Sequence, residues 1–185
     1  MTHYVHATRT IHIGEELSIS CIIIFVLCTL LSDCSTRFSD TDPTVIRATR
    51  QSKIKDSWGF ECTCSACAQH HTLTRESDRR LEIMNVLEEE LGNWTPESKG
   101  NPEMAETLIS LYLQERLQAY MAIPYTLAAL AYNAVRDRDT AAKYSLLAVE
   151  HGLIENGERD SDVREMIKLL DGMEEHWSWG KRLRR

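Results

Sequence analysis

Apolar residues follow two rhythms along this chain. Between residues 3 and 19 they alternate with polar ones: Tyr4 and Val5, then Ile11 and Ile13, then Leu17 and Ile19 beyond Gly14. A period of two is the pattern of a half-buried strand, so short strands are expected here. The longest apolar run, Cys21 to Leu31, covers eleven residues and is rich in β-branched side chains (Ile22, Ile23, Ile24, Val26). It reads as a buried strand, because a membrane-spanning helix needs about 20 residues.

From Asp42 onward the rhythm becomes helical. Asp42-Pro43 has the form of a helix opening. The helix is expected to run to about Trp58, burying Val45, Ile46 and Ile54. From Thr74 the spacing of Leu81, Met84, Leu87 and Leu91 predicts a helix with Gly92 as its C-cap. Asn101-Pro102 opens the next, carrying Met104, Leu108, Leu111, Tyr112 and Met121. Pro124 opens another, with Tyr125, Ala128, Ala129, Tyr132 and Val135. Asp139 is expected to cap a further helix with Ala142, Leu146 and Val149 inward and Gly152 as its stop. Ser161 opens a last one with Val163, Met166, Ile167 and Leu170. Short charged connections make neighbouring helices antiparallel, and facing alanines allow close approach. Residues 74–185 therefore resemble tetratricopeptide-type helical hairpins, without a strict repeat.

Composition narrows the function classes. The chain has 185 residues, 43% hydrophobic and 26% charged, a globular balance. A net charge of −7 argues against a general nucleic-acid surface. The acid is uneven: residues 1–73 carry 6 Lys/Arg and 7 Asp/Glu, and residues 74–185 carry 15 and 21. The N-terminus lacks the basic-then-apolar order of a signal peptide. Neither membrane insertion nor direct nucleic-acid binding is expected, and the nucleus or the cytoplasm is the expected location.

Three of the six cysteines are scattered (Cys21, Cys28, Cys34), and three form a C-x-C-x2-C cluster, Cys62, Cys64 and Cys67. Thiolates this close on a loop can share one ion, and soft sulfur donors favour zinc. A structural site wants four ligands; His70 or His71, which follow at once, could supply the fourth. The remaining features have plain expectations. Glu88, Glu89 and Glu90 read as a solvated helix face. His176-Trp177-Ser178-Trp179 reads as an aromatic cap on the last helix, and Gly180 to Arg185 as a solvated basic end. His3, His6 and His12 lack ligand spacing.

Two segments read together carry a resemblance. Gly14-Glu15-Glu16-Leu17-Ser18-Ile19-Ser20, followed by Trp58-Gly59-Phe60-Glu61-Cys62-Thr63-Cys64-Ser65-Ala66-Cys67, resembles the end of a SET domain and its post-SET zinc motif. The likeness is to the SET-and-MYND branch, whose members often carry a helical C-terminal extension. It implies a protein-lysine methyltransferase with S-adenosylmethionine as donor, zinc on Cys62, Cys64 and Cys67, and a protein substrate, histone or non-histone, presenting a lysine side chain. It also implies that Phe60 lines the cofactor and lysine channel. Such catalysis is mainly alignment of a neutral amine with the sulfonium methyl.

The chain departs from that pattern in three ways. The family's cofactor-binding glycines, its Asn-His-x-Cys segment and the upstream cysteine that serves as fourth zinc ligand have no counterpart before Tyr4. The position of the family's catalytic tyrosine holds Cys21, and a thiol cannot replace a phenol in shape, hydrogen bonding or acidity. Residues 21–40 are also extra. Either they are a strand insertion or they are a translated intron. Removing an intron that begins inside codon 21 and ends across codons 39 and 40 keeps the frame and restores Ser20-Tyr-Thr41-Asp42-Pro43. The expected organisation is thus the end of a SET domain (1–20), an atypical apolar insert (21–41), a post-SET helix and zinc loop (42–73), and a helical region (74–185). The expected class is α+β, and the expected activity of the chain as it stands is none. The rival expectation is a non-enzymatic, zinc-stapled helical module that binds protein.

Overall fold

In a computed structural model, Ile13, Asp42 and residues 44–63, 67, 68 and 70–183 are described. They form six α-helices: α1 (Arg47–Trp58), α2 (His71–Gly92), α3 (Pro102–Gln114), α4 (Ala122–Ala134), α5 (Arg138–Glu155) and α6 (Ser161–Asp171). A 3-10 turn, Gln118–Tyr120, precedes α4. This corrects the α+β expectation: the described residues are helical, and none of them lies in a strand. From Arg47 on, apolar side chains recur every three to four residues, and backbone groups are satisfied within each helix, leaving no ladder to pair. The segments expected to be strands, 3–19 and 21–31, lie outside the described residues apart from Ile13.

The chain divides into two compact units, residues 1–82 and 83–185, with the boundary inside α2. In the first, α1 opens later than Asp42-Pro43 suggests. The Asp42 carboxylate accepts from the Thr44 amide and hydroxyl, closing a local turn instead of capping the helix. The first turn of α1 is capped from afar, its Arg47 amide donating to Asp78 Oδ1 of α2 at 2.8 Å. Gly59, at φ 73°, ends α1 in the left-handed conformation glycine favours, and its N–H donates to Lys55 O.

The second unit is a right-sized core of alanines and larger aliphatics. Ala128, Ala129, Ala131 and Ala134 of α4 and Ala141 and Ala148 of α5 are buried, so the two helices pack closely. They are antiparallel, since Tyr132 stacks on Tyr144 while Tyr125, two turns earlier, meets both Tyr144 and His151. Asn101 caps α3 by accepting from the Met104 amide, as its sequence position suggests. Arg116, at φ 59°, ends that helix region, so Met121 lies beyond the break and not on α3.

Two sequence expectations for α5 are corrected. Its N-cap is Asp137, which accepts from the Thr140 amide, and Asp139 lies in the first turn. Its buried face is Ala141, Tyr144, Ser145, Ala148 and Gly152, whereas Leu146 is 59% exposed. Gly152 does not stop the helix. It is a close-approach site, where an added Cβ would lie 2.6 Å from Val163 Cγ2 of α6. Asp160, not Ser161, caps α6, which buries Val163, Met166 and Leu169 and leaves Ile167 exposed.

The chain beyond α6 folds back. The side-chain amide of buried Asn133 of α4 donates to Met173 O and Ser178 Oγ, and the Asn133 backbone carbonyl accepts from Gly180 N. Arg182 is not a solvated end: it donates to the carbonyls of Leu91 and Asn93 at 2.7 and 2.9 Å and lies 3.9 Å above the Trp94 ring. It closes the C-terminus of α2, and Gly92 is simply the last residue of that helix. The glutamate run is not a plain solvated face either. Glu88 accepts from Tyr112 Oη at 2.8 Å, and Glu90 accepts from Ser98 and the Lys99 amide.

Candidate metal centre

The cysteine loop hangs from the end of α1. Ile54 on the inner face of that helix forms a small core with Cys62 and Cys67, which are 3%, 8% and 1% exposed respectively. The Cys62 backbone is held by one side chain. Gln51 Nε2 donates to Cys62 O at 2.7 Å, and Gln51 Oε1 accepts from Cys62 N at 2.9 Å. The amide thus substitutes for a neighbouring strand and satisfies both backbone groups of the first cysteine.

Two of the three clustered cysteines, Cys62 and Cys67, are described and stand together. Two thiols share one small apolar core, and sulfur donors on a tight loop are those a structural zinc takes. Cys64 lies outside the described residues. Among the described residues no three His, Cys, Asp or Glu side chains gather as a metal site.

The two histidines differ in what they do. His70 Nδ1 faces the amide and hydroxyl of Thr72, both at 3.4 Å, at the opening of α2. His71 is the first residue of α2 and is exposed. Of the two, His70 stands on the loop itself, with Nε2 as the ring nitrogen not turned to the helix opening.

Phe60 follows Gly59 and is 53% exposed. Cys21, at the position of the family tyrosine, lies outside the described residues, as do His3, His6 and His12. The feature that sequence reasoning missed is Gln51: nothing about a glutamine in a helix announces that it will clamp a loop eleven residues later. Among the described residues no helix is long and apolar enough to cross a membrane.

Comparison with known proteins adds no relative: no family model, no curated protein and no solved structure matches this chain.

Proposed function

We propose that this chain carries the zinc-stapled post-SET segment and helical region of a SET-type protein-lysine methyltransferase, and that as it stands it transfers no methyl group. The observation that supports the zinc staple is the burial of Cys62 and Cys67 against Ile54, with the Cys62 backbone clamped by Gln51. Cys62, Cys64 and Cys67 would hold the ion, with His70, His71 or an upstream cysteine as fourth ligand, and zinc would supply a cross-link in place of a larger core. S-adenosylmethionine belongs to the intact family site, toward which Phe60 is the matching residue in this chain. The substrate would be a protein lysine, and the working location the nucleus or cytoplasm. Inactivity follows from Cys21, because a thiol at the tyrosine position offers neither the phenol's reach nor its hydrogen bond.

The test has two arms. Elemental analysis of the purified chain should give one zinc, lost when Cys62→Ser or Cys64→Ser is made; no metal would sink the staple. Calorimetry with S-adenosylmethionine should give no heat for the chain as it stands. A variant that also carries the family's upstream cofactor-binding segment, with residues 21–40 removed and Ser20 joined through a tyrosine to Thr41, should gain binding. If that variant holds zinc but binds no cofactor, the non-enzymatic helical module takes precedence.

A further inference from the structure

The face shared by α3, α4 and α5 carries four rings in a row: Tyr132, Tyr144, Tyr125 and His151. Successive centroids lie 5.6, 6.1 and 5.3 Å apart. The rings come from positions two turns apart on each of two antiparallel helices, so they form a continuous ladder across the α4–α5 seam. Negative charge is arranged around it. Glu106 of α3 accepts from Tyr132 Oη at 2.6 Å and from Tyr144 Oη at 3.5 Å through the same oxygen, Oε1. Among the described residues its Oε2 takes no hydrogen bond. Glu106 also borders, with Glu103, Thr107 and Ser110, an open depression of about 340 Å³ on α3.

The phenols remain neutral donors around neutral pH. Burial, then the hydrogen bond to Glu106, pushes the Tyr132 phenol far above its usual value. Burial and the charge of Glu150 raise Tyr125. Asp137, in the α4–α5 turn, adds to the field at Tyr132. One cation is already drawn in: the Lys143 ammonium sits 4.8 Å from the Tyr144 centroid. Tyrosine faces rimmed by carboxylates attract ammonium and guanidinium groups through the ring quadrupole and the charge together.

We propose that this tyrosine ladder and Glu106 form a docking face for a lysine- or arginine-bearing peptide segment of a partner protein. The cationic side chain would lie over the rings and pair with Glu106 Oε2, in competition with Lys143. This inference stands on residues 103–151 and does not depend on the zinc or methyltransferase reading.

The test uses the full chain and a fluorescein-labelled peptide of alternating Lys and Ala, followed by fluorescence anisotropy. Saturable binding that weakens with salt is expected, with no binding of the matching Glu and Ala peptide. Glu106→Gln keeps an acceptor for both phenols and removes the charge, and should weaken binding about tenfold. Lys143→Met, at an exposed position, removes the resident cation beside Tyr144 and should tighten binding about threefold. Equal binding of both peptides, or a Glu106→Gln chain that keeps its helical content and binds like the parent, would overturn the proposal. So would a Lys143→Met chain with unchanged or weaker affinity.

Discussion

The cysteine-loop unit and the helical unit hold themselves together in different ways. Among the described residues of the first, Ile54, Cys62 and Cys67 form one small apolar cluster and Leu81 is buried as well, supplemented by two backbone bonds to Gln51 and the Asp78 cap on α1. The second buries leucines, methionines, alanines and Tyr112 along α3 to α6 and the later part of α2, and its chain end is bonded into α2 and α4. Hydrophobic stabilisation grows with the area removed from water, so a few buried side chains stabilise far less than a packed bundle does. Small units make up the difference with cross-links. The contrast therefore says where a metal, if the proposal holds, would matter: in the loop, and not in the bundle.

The largest effect should come from removing the zinc proposed for the loop. Structural zinc in small domains supplies on the order of 10 kcal/mol of folding free energy. Chelation, or Cys67→Ser, should abolish amide-exchange protection in Arg47–Trp58 while α3 to α6 keep theirs. Equal loss in both regions would erase the comparison.

A cavity in the bundle should do the reverse. Leu108 is fully buried on α3. Leu108→Ala should cost about 2–5 kcal/mol in chemical denaturation of the helical unit. Zinc content should be unchanged, and a variant that also loses metal would show that the two regions do not fold separately.

Overpacking gives a smaller effect. Gly152→Ala places a methyl 2.6 Å from Val163 Cγ2, between backbone-bearing helices that cannot easily part. The expected loss is about 1–3 kcal/mol. Most of it should return in the double variant with Val163→Ala, and absence of rescue would place the strain elsewhere.

The smallest effect is a pH dependence confined to the bundle. Glu155 accepts from the Ala122 amide at the start of α4 at 3.0 Å, and burial pushes its carboxyl up from 4.5 to about 7. The folded state thus binds the proton more tightly than the unfolded one. The associated stabilisation is full below about pH 4.5 and is lost as pH rises through about 7. Discounted for partial solvent screening, it amounts to about 1–2 kcal/mol. Glu155→Gln should flatten this part of the stability profile and leave the chain more stable at pH 8. A parallel pair of profiles would refute the assignment.

Helix α1 shows how far local signals reach. Its end at Trp58 is written in Gly59, whose left-handed conformation is a local property. Its start is not written near Asp42, because that carboxylate is taken by Thr44, and the cap comes from Asp78, thirty-one residues on. The candidate metal centre is legible in the same uneven way. Three cysteines in six residues announce sulfur chemistry from composition and spacing alone. The clamp of Gln51 on Cys62 does not announce itself, since a long-range side-chain clamp has no periodicity.

By itself the sequence determined the helical character of residues 74–171, because apolar spacing of three and four residues suits one backbone only. It also located the thiol cluster, the cap at Asn101 and the end of α1 near Trp58, which depend on neighbours within a few residues. Only the tertiary structure decided which face of α5 turns inward. Alanine, tyrosine and leucine occur all around that helix, so its hydrophobic pattern is nearly uniform, and packing against Val163 at Gly152 selects the face. Tertiary structure likewise drew Arg182 onto Leu91, Asn93 and Trp94, and Glu106 onto Tyr132 and Tyr144. Each of these joins residues at least twenty-six positions apart, and such pairings arise only when the fold brings the partners out of water together.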